Sequence, residues 1–518
     1  MRKWTIGVLT MAAAIMGQPA AAQKAELSAQ ASIRADQPGP KVNRQIFGQF
    51  AEHLGTGIYG GVWVGEDSPI PNTRGYRNDV LNALRAIKVP VIRWPGGCFA
   101  DEYHWREGIG AREKRPVKIN THWGGVTEPN TFGTHEFMDF AELVGAEAYV
   151  AGNVGSSPPQ EMAEWVEYMT SPTDSTLARE RWANGRKEPW KLPFFGIGNE
   201  LWGCGGNMKP EYAANETRRY STFIKVPWGT NILKFASGAN SEDYNWTEVM
   251  MRETGSTIDG IALHYYTVPG TWAKKGSATQ FNEDDWALTL SKTLKMDELL
   301  TKHNAIMDKY DPKKRVWMVV DEWGTWFDQE PGSKPGFLYQ QNSLRDALVA
   351  AINIDIFVKH ADRVKMTNIA QMVNVLQAMI LTDGDKMVLT PTYHVFDMYK
   401  DWQDATALAI SLESPVYSRG EWSMPAVSAS AVRDVSGKVH VALSNLDPNR
   451  SVTVTARLSG LKASSATGRV LTASKINAYN DFGKPPAVVP QPFKKASVDG
   501  ELLKVELPAR SVVVLDLK

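Results

Sequence analysis

Two short stretches, far apart in the chain, each end an apolar run of strand length in a glutamate. The first is Phe194-Phe195-Gly196-Ile197-Gly198-Asn199-Glu200 and the second is Val316-Trp317-Met318-Val319-Val320-Asp321-Glu322-Trp323. A glutamate after an apolar strand is ordinarily just the first solvated residue of a loop. A pair of them can do more, because the C-terminal ends of buried parallel strands are where a barrel presents its catalytic groups. Two carboxylates flanking one bond suit glycoside cleavage: one serves as acid and base, the other as nucleophile, about 5 Å apart when configuration is retained. Glu200 and Glu322 are therefore the catalytic candidates. The types around them fit the same chemistry. Asn199 offers an amide to a sugar hydroxyl, His264 is a donor suited to tuning the proton on Glu200, and Arg93 or the phenol of Tyr266 would hold Glu322 ionised.

Such residues need a frame, and the apolar pattern supplies one. Eight short apolar runs end in polar or glycine residues: Ile46 to Phe50, Val89 to Ile92, Ala148 to Ala151, Phe194 to Ile197, Ile232 to Ala236, Ile258 to Leu263, Val316 to Val320 and Val364 to Ile369. Helical periodicity separates several of them, most clearly over Asp79 to Ile87, Glu136 to Val144, Pro159 to Met169 and Leu344 to His360. Alternation of strand and helix over eight rounds predicts a (β/α)8 TIM barrel, placed at residues 41–400. At the strand ends stand Glu52, Arg93, Asn153, Asn199, Glu200, His264, Glu322 and Gln371. In a barrel these ring one face, as a pocket for a polar substrate requires. After about Asp401 the character changes to alternating, β-branched segments divided by turn residues. Residues 401–518 are expected to form an appended all-β sandwich, with an N-terminal strand from residues 23–40 joining it.

The bulk composition narrows the function. Basic and acidic residues number 57 each, so the formal charge is zero, which argues against a nucleic-acid partner. The 18 Trp exceed what the length suggests, and a flat ring with one N–H donor suits stacking on sugars. The start of the chain, with Arg2 and Lys3, a short apolar run from Ile6 to Met16 and then Ala20-Ala21-Ala22, reads as a signal peptide over residues 1–22. That predicts an exported protein, periplasmic or secreted, with no membrane attachment after processing. Two cysteines, Cys98 and Cys204, form neither a disulfide framework nor a zinc cluster, and whether they bond to each other is left open. No metal or cofactor is expected: Gly196-Ile197-Gly198 lacks the third glycine of a dinucleotide loop, and His135-Glu136 is followed by Asp139 where a zincin has its second histidine.

The motifs in order are more specific than any of them alone. Phe50-Ala51-Glu52-His53-Leu54-Gly55, Arg93-Trp94-Pro95-Gly96-Gly97-Cys98-Phe99, Phe132-Gly133-Thr134-His135-Glu136-Phe137, Gly198-Asn199-Glu200, His264-Tyr265-Tyr266, Asp321-Glu322-Trp323 and Ile369-Ala370-Gln371-Met372-Val373-Asn374 follow one another along the chain. Together they resemble the family 51 glycoside hydrolases, best known as α-L-arabinofuranosidases. The resemblance implies a retaining, exo-acting barrel enzyme, often oligomeric and without a metal, acting on an arabinose-containing plant polysaccharide or oligosaccharide. It matches Glu200 to the acid/base, Glu322 to the nucleophile, and Glu52, Asn199, Tyr266 and Gln371 to contacts with the terminal arabinofuranose. Cys98 falls at the sugar, Trp123 and Trp326 at the mouth of the pocket, and His264 near the acid/base. Gly152-Asn153-Val154-Gly155-Ser156 departs from the pattern expected after the third strand. The competing enzymatic reading is an endo-β-glucanase or β-xylosidase-like activity on the same scaffold. A non-catalytic carbohydrate-binding protein would have lost one of the carboxylates, and both are present.

Overall fold

The computed structural model describes Met1 and residues 27–229 and 231–518. The segment read as a signal peptide, from Arg2 onward, lies outside the described residues.

Eight parallel strands close into a barrel in sequence order: β2 (Gly48–Phe50), β3 (Val91–Trp94), β4 (Glu147–Gly152), β5 (Phe194–Ile197), β6 (Leu233–Asn240), β7 (Gly260–Thr267), β8 (Trp317–Thr325) and β9 (Val364–Ile369). Closure is made where Asn368 of β9 pairs with Gly48 of β2. These strands read as unbroken apolar runs because helices cover their outer side and the barrel fills its own inside. Val91, Tyr149, Phe194, Phe235, Val319 and Met366, from six different strands, form a buried apolar plug in the interior. Above it the inward side chains turn polar, beginning with Arg93 two residues after Val91 and Asp321 two residues after Val319. The plug excludes water from below and leaves one wet end, at the strand C-termini.

The outer ring comprises α1 (Asn78–Ala86), α2 (Thr134–Val144), α3 (Pro159–Thr170), α4 (Thr176–Ala183), α5 (Pro210–Phe223), α6 (Tyr244–Thr254), α7 (Glu283–Tyr310), α8 (Leu344–Lys359) and α9 (Pro391–Tyr399). Every residue of α8 from Leu344 to Val358 is buried, because this helix lies between the barrel and the second domain. A helix apolar nearly all round needs such cover on both sides.

The second domain is all-β. Its ten-stranded sheet includes β10 (Thr406–Glu413), β11 (Val427–Arg433), β12 (Val439–Asn445), β13 (Val452–Ser459), β14 (Ala466–Leu471), β15 (Gln491–Phe493), β16 (Ala496–Asp499), β17 (Leu502–Leu507) and β18 (Ser511–Leu517). The N-terminal strand β1 (Leu27–Lys41) lies inside this sheet, antiparallel to β10 and parallel to β13. Strands β14 and β16, near opposite ends of the sheet, touch, so the sheet folds over on itself.

One irregularity matters for the site. Between β7 and β8 the pairing runs Ala262 with Val319 and then His264 with Glu322; between β8 and β9 it runs Val320 with Thr367 and then Trp323 with Ile369. Strand β8 thus carries one extra residue relative to both neighbours, a β-bulge. Regular alternation would send Asp321 and Glu322 to opposite faces. The bulge re-aims the strand so that both point into the barrel mouth, a common use of bulges beside sites.

Candidate active site

Glu322 sits at the floor of the mouth with a donor on each oxygen. Arg93 Nη1 lies 2.8 Å from Oε1, and the Tyr266 hydroxyl donates to Oε2 at 2.7 Å. Charge-assisted bonds of this kind favour a negative carboxylate. Arg93 is itself fully enclosed, lying over the Phe50 ring at 4.5 Å. Burial alone would lower its pKa, but Asp321 and Glu322 hold it above the ordinary arginine range. Its Nη2 donates to Asn199 Oδ1 at 2.6 Å, which fixes the amide orientation and leaves Asn199 Nδ2 beside Gly97 and 3.8 Å from Cys204 Sγ. Burial and the charge of Glu322 push the Tyr266 phenol well above its usual value, so it remains a donor. Gly97 is required beside them, since a Cβ there would meet Glu322 Oε1 at 2.7 Å.

Glu200 follows β5 in the left-handed backbone region, at φ +40°, an uncommon conformation for a residue with a side chain. His264 Nδ1 lies 2.9 Å from its Oε1, and His264 Nε2 lies 3.1 Å from Asp321 Oδ1. Burial would lower the imidazole pKa, but Glu322, Asp321 and Glu200 together raise it to about 10, so the ring is a cation that donates from both nitrogens. Asp321 is held ionised against its burial by Arg93 and His264, and it also accepts from Tyr149 at 2.8 Å. Glu200 behaves differently: burial and the nearby Glu322 push its carboxyl up, with the His264 bond pulling the other way. One carboxyl oxygen of Glu200 and one of Glu322 lie within 4.8 Å of each other.

The wall of the cavity is Glu52. Its Oε1 accepts from the backbone of Gly97 at 3.0 Å and Phe99 at 3.2 Å and from Trp123 Nε1 at 2.9 Å; its Oε2 accepts from Gln371 Nε2 at 2.8 Å. Burial, and then Glu322, raise this carboxyl from 4.5 to about 7. Cys98, Trp326, Leu338 and Leu376 complete a small cavity that also includes Glu200, Tyr266 and Glu322. Trp326 stands edge-on to Tyr266 at 5.0 Å, and beyond it a wider cleft lined by Trp202, Asn240 and Trp272 opens beside Glu200. Cys98 and Cys204 are joined by a disulfide that links the loops after β3 and β5.

Eleven of the twelve residues singled out in the sequence converge on this one cavity or support it; the twelfth, Asn153, instead pins its own loop, donating to the Tyr103 carbonyl at 3.2 Å and accepting from the Ser156 backbone N–H at 2.9 Å. Asp321, Tyr149, Trp202 and Trp272 were not anticipated. The Asp321-Glu322 doublet was visible, but alternation sends its two members apart, and only the bulge joins them. Trp202 and Trp272 sit in loops without periodicity.

The raised carboxyl of Glu52 has a consequence for stability. The folded protein keeps a proton that the unfolded chain releases near pH 4.5. The contribution of Glu52 to stability therefore falls as pH rises from that value to about 7 and levels off above it. Glu52→Gln should remove this loss, on the order of 3 kcal/mol at most. The amide oxygen can keep the three donors on Oε1, while its nitrogen faces Gln371, whose Oε1 is buried without a partner among the described residues and can turn to accept. Thermal midpoints at pH 5 and pH 8 check this: the fall between them should be smaller in the variant than in the parent.

Residues 83–284 match the model of the alpha-L-arabinofuranosidase 1 domain, and residues 321–511 that of the alpha-L-arabinofuranosidase C-terminal domain. An intracellular exo-alpha-L-arabinofuranosidase of Bacteroides ovatus is 54% identical over 495 residues, covering 95% of this chain and 96% of its own. The crystal structure of the GH51 arabinofuranosidase from Xanthomonas axonopodis pv. citri is 62% identical and superposes with a TM-score of 0.95, over 95% of this chain and all of that one. The chain belongs to the family 51 α-L-arabinofuranosidases. A third arabinofuranosidase, from Thermotoga maritima and solved as an arabinose complex, is 29% identical with a TM-score of 0.82, over 94% of this chain and 99% of that one.

This arabinofuranosidase is a glycoside hydrolase, as the paired carboxylates suggested. One expectation is overturned. Export, periplasmic or secreted, does not stand beside a relative of 54% identity over nearly the full length of both chains that is named intracellular. The leader reading rested on a basic start, a short apolar run and three alanines, a compositional pattern with no side-chain chemistry to make it specific.

Proposed function

We propose that this arabinofuranosidase removes terminal non-reducing α-L-arabinofuranosyl groups from arabinan or arabinoxylan, as polymers or oligosaccharides, with net retention of configuration. The observation that carries the reading is the approach of Glu200 and Glu322 to within 4.8 Å at the mouth of a walled cavity. That spacing is of the order of the roughly 5 Å used by retaining enzymes, and shorter than the gap that leaves room for an attacking water between the carboxyls.

In the first step an oxygen of Glu322 attacks the anomeric carbon while Glu200 gives its proton to the glycosidic oxygen. The carbon–oxygen bond to the leaving group breaks, the bond to Glu322 forms, and the leaving group departs as an alcohol. In the second step Glu200, now a carboxylate, takes a proton from water, whose oxygen displaces Glu322 from the same carbon. The division of roles follows the environments. Glu322 has donors on both oxygens and a side chain only 7% exposed, as a nucleophile needing charge and orientation requires. Glu200 has a raised pKa, holds its proton, and at 18% side-chain exposure reaches the solvent that must reload it. Asn199 Nδ2, fixed by Arg93, supplies a donor to a ring hydroxyl, where a bond that tightens in the transition state accelerates the reaction.

Exo action follows from the wall. Glu52 is tied to the Gly97 and Phe99 backbone, Trp123 and Gln371, which closes the cavity behind the ring, whereas an endo-glucanase needs room for chain on both sides. Proton NMR of the first anomer released from an arabino-oligosaccharide tests the proposal. The α-anomer should appear first and mutarotate afterwards; initial β-anomer would refute retention.

A further inference from the structure

The Cys98–Cys204 disulfide lies beside the acid/base. Cys204 Sγ lies 3.5 Å from Glu200 Oε2 and 3.8 Å from Asn199 Nδ2. Its partner Cys98 opens the 3-10 turn Cys98–Glu102 and lines the sugar cavity. The same turn holds the other loop a second time: Asp101 accepts the backbone N–H of Asn199 at 3.0 Å, along with those of Val154 and Gly155. Glu200 thus sits, in its left-handed conformation, between two tethers from one turn. One tether is a set of hydrogen bonds that a reductant does not touch. The other can be opened by a reductant.

We propose that the Cys98–Cys204 bond is a redox-sensitive positioning element for Glu200, whose state sets how readily that residue gives its proton to the glycosidic oxygen. The proposal rests on the reading of Glu200 as the acid. While bonded to Cys98, Cys204 Sγ carries no proton, and among the described residues the side-chain donor on Glu200 is His264, on the other oxygen. Oε2 is then left free to carry and deliver the proton. A dithiol reductant changes this. It gives up two electrons and two protons and becomes a disulfide; the protein S–S bond breaks and two S–H groups form. Cys204 can then donate to Oε2. That bond stabilises the carboxylate over the acid, so Glu200 loses its proton at lower pH. The charged and titratable groups facing Glu200 are His264 and Tyr266 from β7, Glu322 from β8 and Arg93 from β3, and reduction alters none of them. The Asp101 tether keeps the loop in register, so the effect is on the proton rather than on the fold.

The test compares the pH dependence of kcat/KM, on an arabino-oligosaccharide, for the oxidised protein and for protein treated with dithiothreitol, with reduction followed by thiol count. The alkaline limb should move down by about 0.5 pH unit, roughly a threefold loss of rate on that limb, the worth of one weak hydrogen bond. An activated aryl arabinofuranoside, whose departure needs little acid help, should respond less. Cys98→Ala, which leaves Cys204 as a free thiol, should show the shifted limb without reductant. Cys204→Ala, which opens the tether but supplies no donor, should keep the limb of the oxidised parent. Two counted thiols with an unmoved limb would overturn the proposal, as would equal shifts in the two variants. Failure of the underlying reading shows separately: if Glu200 is not the acid, Glu200→Ala retains the alkaline limb whatever the state of the disulfide.

Discussion

Replacing Glu322 by alanine should lower kcat/KM by about 10⁴-fold or more, on activated and natural substrates alike. The loss is general because no other carboxylate can take its place: Asp321 is engaged by Arg93, His264 and Tyr149, and Glu52 is held in the wall. The fold should survive. Arg93 keeps Asp321 and Asn199 as partners, so the substitution does not strand a buried cation. The cavity left by the side chain opens onto the anomeric carbon. Azide in that space should restore turnover of an activated aryl arabinofuranoside and give a glycosyl azide of inverted configuration. Chromatography and NMR of the product check both points, and a variant retaining near-parental rates would remove Glu322 from the role of nucleophile.

Glu200→Ala should separate substrates by leaving group. Where the leaving group is another sugar, loss of the acid should cost about 10²- to 10⁴-fold. An activated aryl leaving group departs without a proton, so its first step is nearly spared. The second step still lacks a base, the intermediate accumulates, and both kcat and KM fall. Azide should again accelerate turnover, this time by attacking the intermediate, and the azide product should have retained configuration. The alkaline limb of the pH profile should flatten, because the group whose proton is lost there is gone. Opposite configurations of the two azide products are the sharpest contrast between the roles, since damage to the fold would not produce it.

Much of this architecture was legible in the sequence because parallel barrel strands are buried on both faces. Each reads as a short apolar run with an abrupt polar end, and each of the eight runs overlaps one of the strands β2 to β9. The helices anticipated were those with clean periodicity, α1, α2, α3 and α8. Helix α7 went unread although it is the longest, because its apolar face is interleaved with charged residues; its Asn282 and Asp285 capping box was the available signal. In the second domain β13 and β17 alternate clearly and β12 and β18 are rich in valine and leucine, whereas β14, from Ala466 to Leu471, is short and half-exposed. The candidate site emerged from strand ends, which a closed barrel must bring together. What escaped depended on three dimensions. The bulge that brings Glu322 to the same face as Asp321 leaves no mark in composition, and the separation of 106 residues between Cys98 and Cys204 says nothing of the 5.4 Å between their Cα atoms.

The central claim is that Glu322 forms a covalent bond to the anomeric carbon, with Glu200 managing the proton. The most direct measurement is mass spectrometry of the protein after exposure to an activated 2-deoxy-2-fluoro-arabinofuranoside, which slows the second step more than the first, followed by peptide mapping of the adduct. One fluoroarabinosyl group should be found per chain, on the peptide carrying Val319-Val320-Asp321-Glu322 and localised to Glu322. A label on Glu200, or turnover of the reagent under conditions that never yield an adduct, would contradict the account.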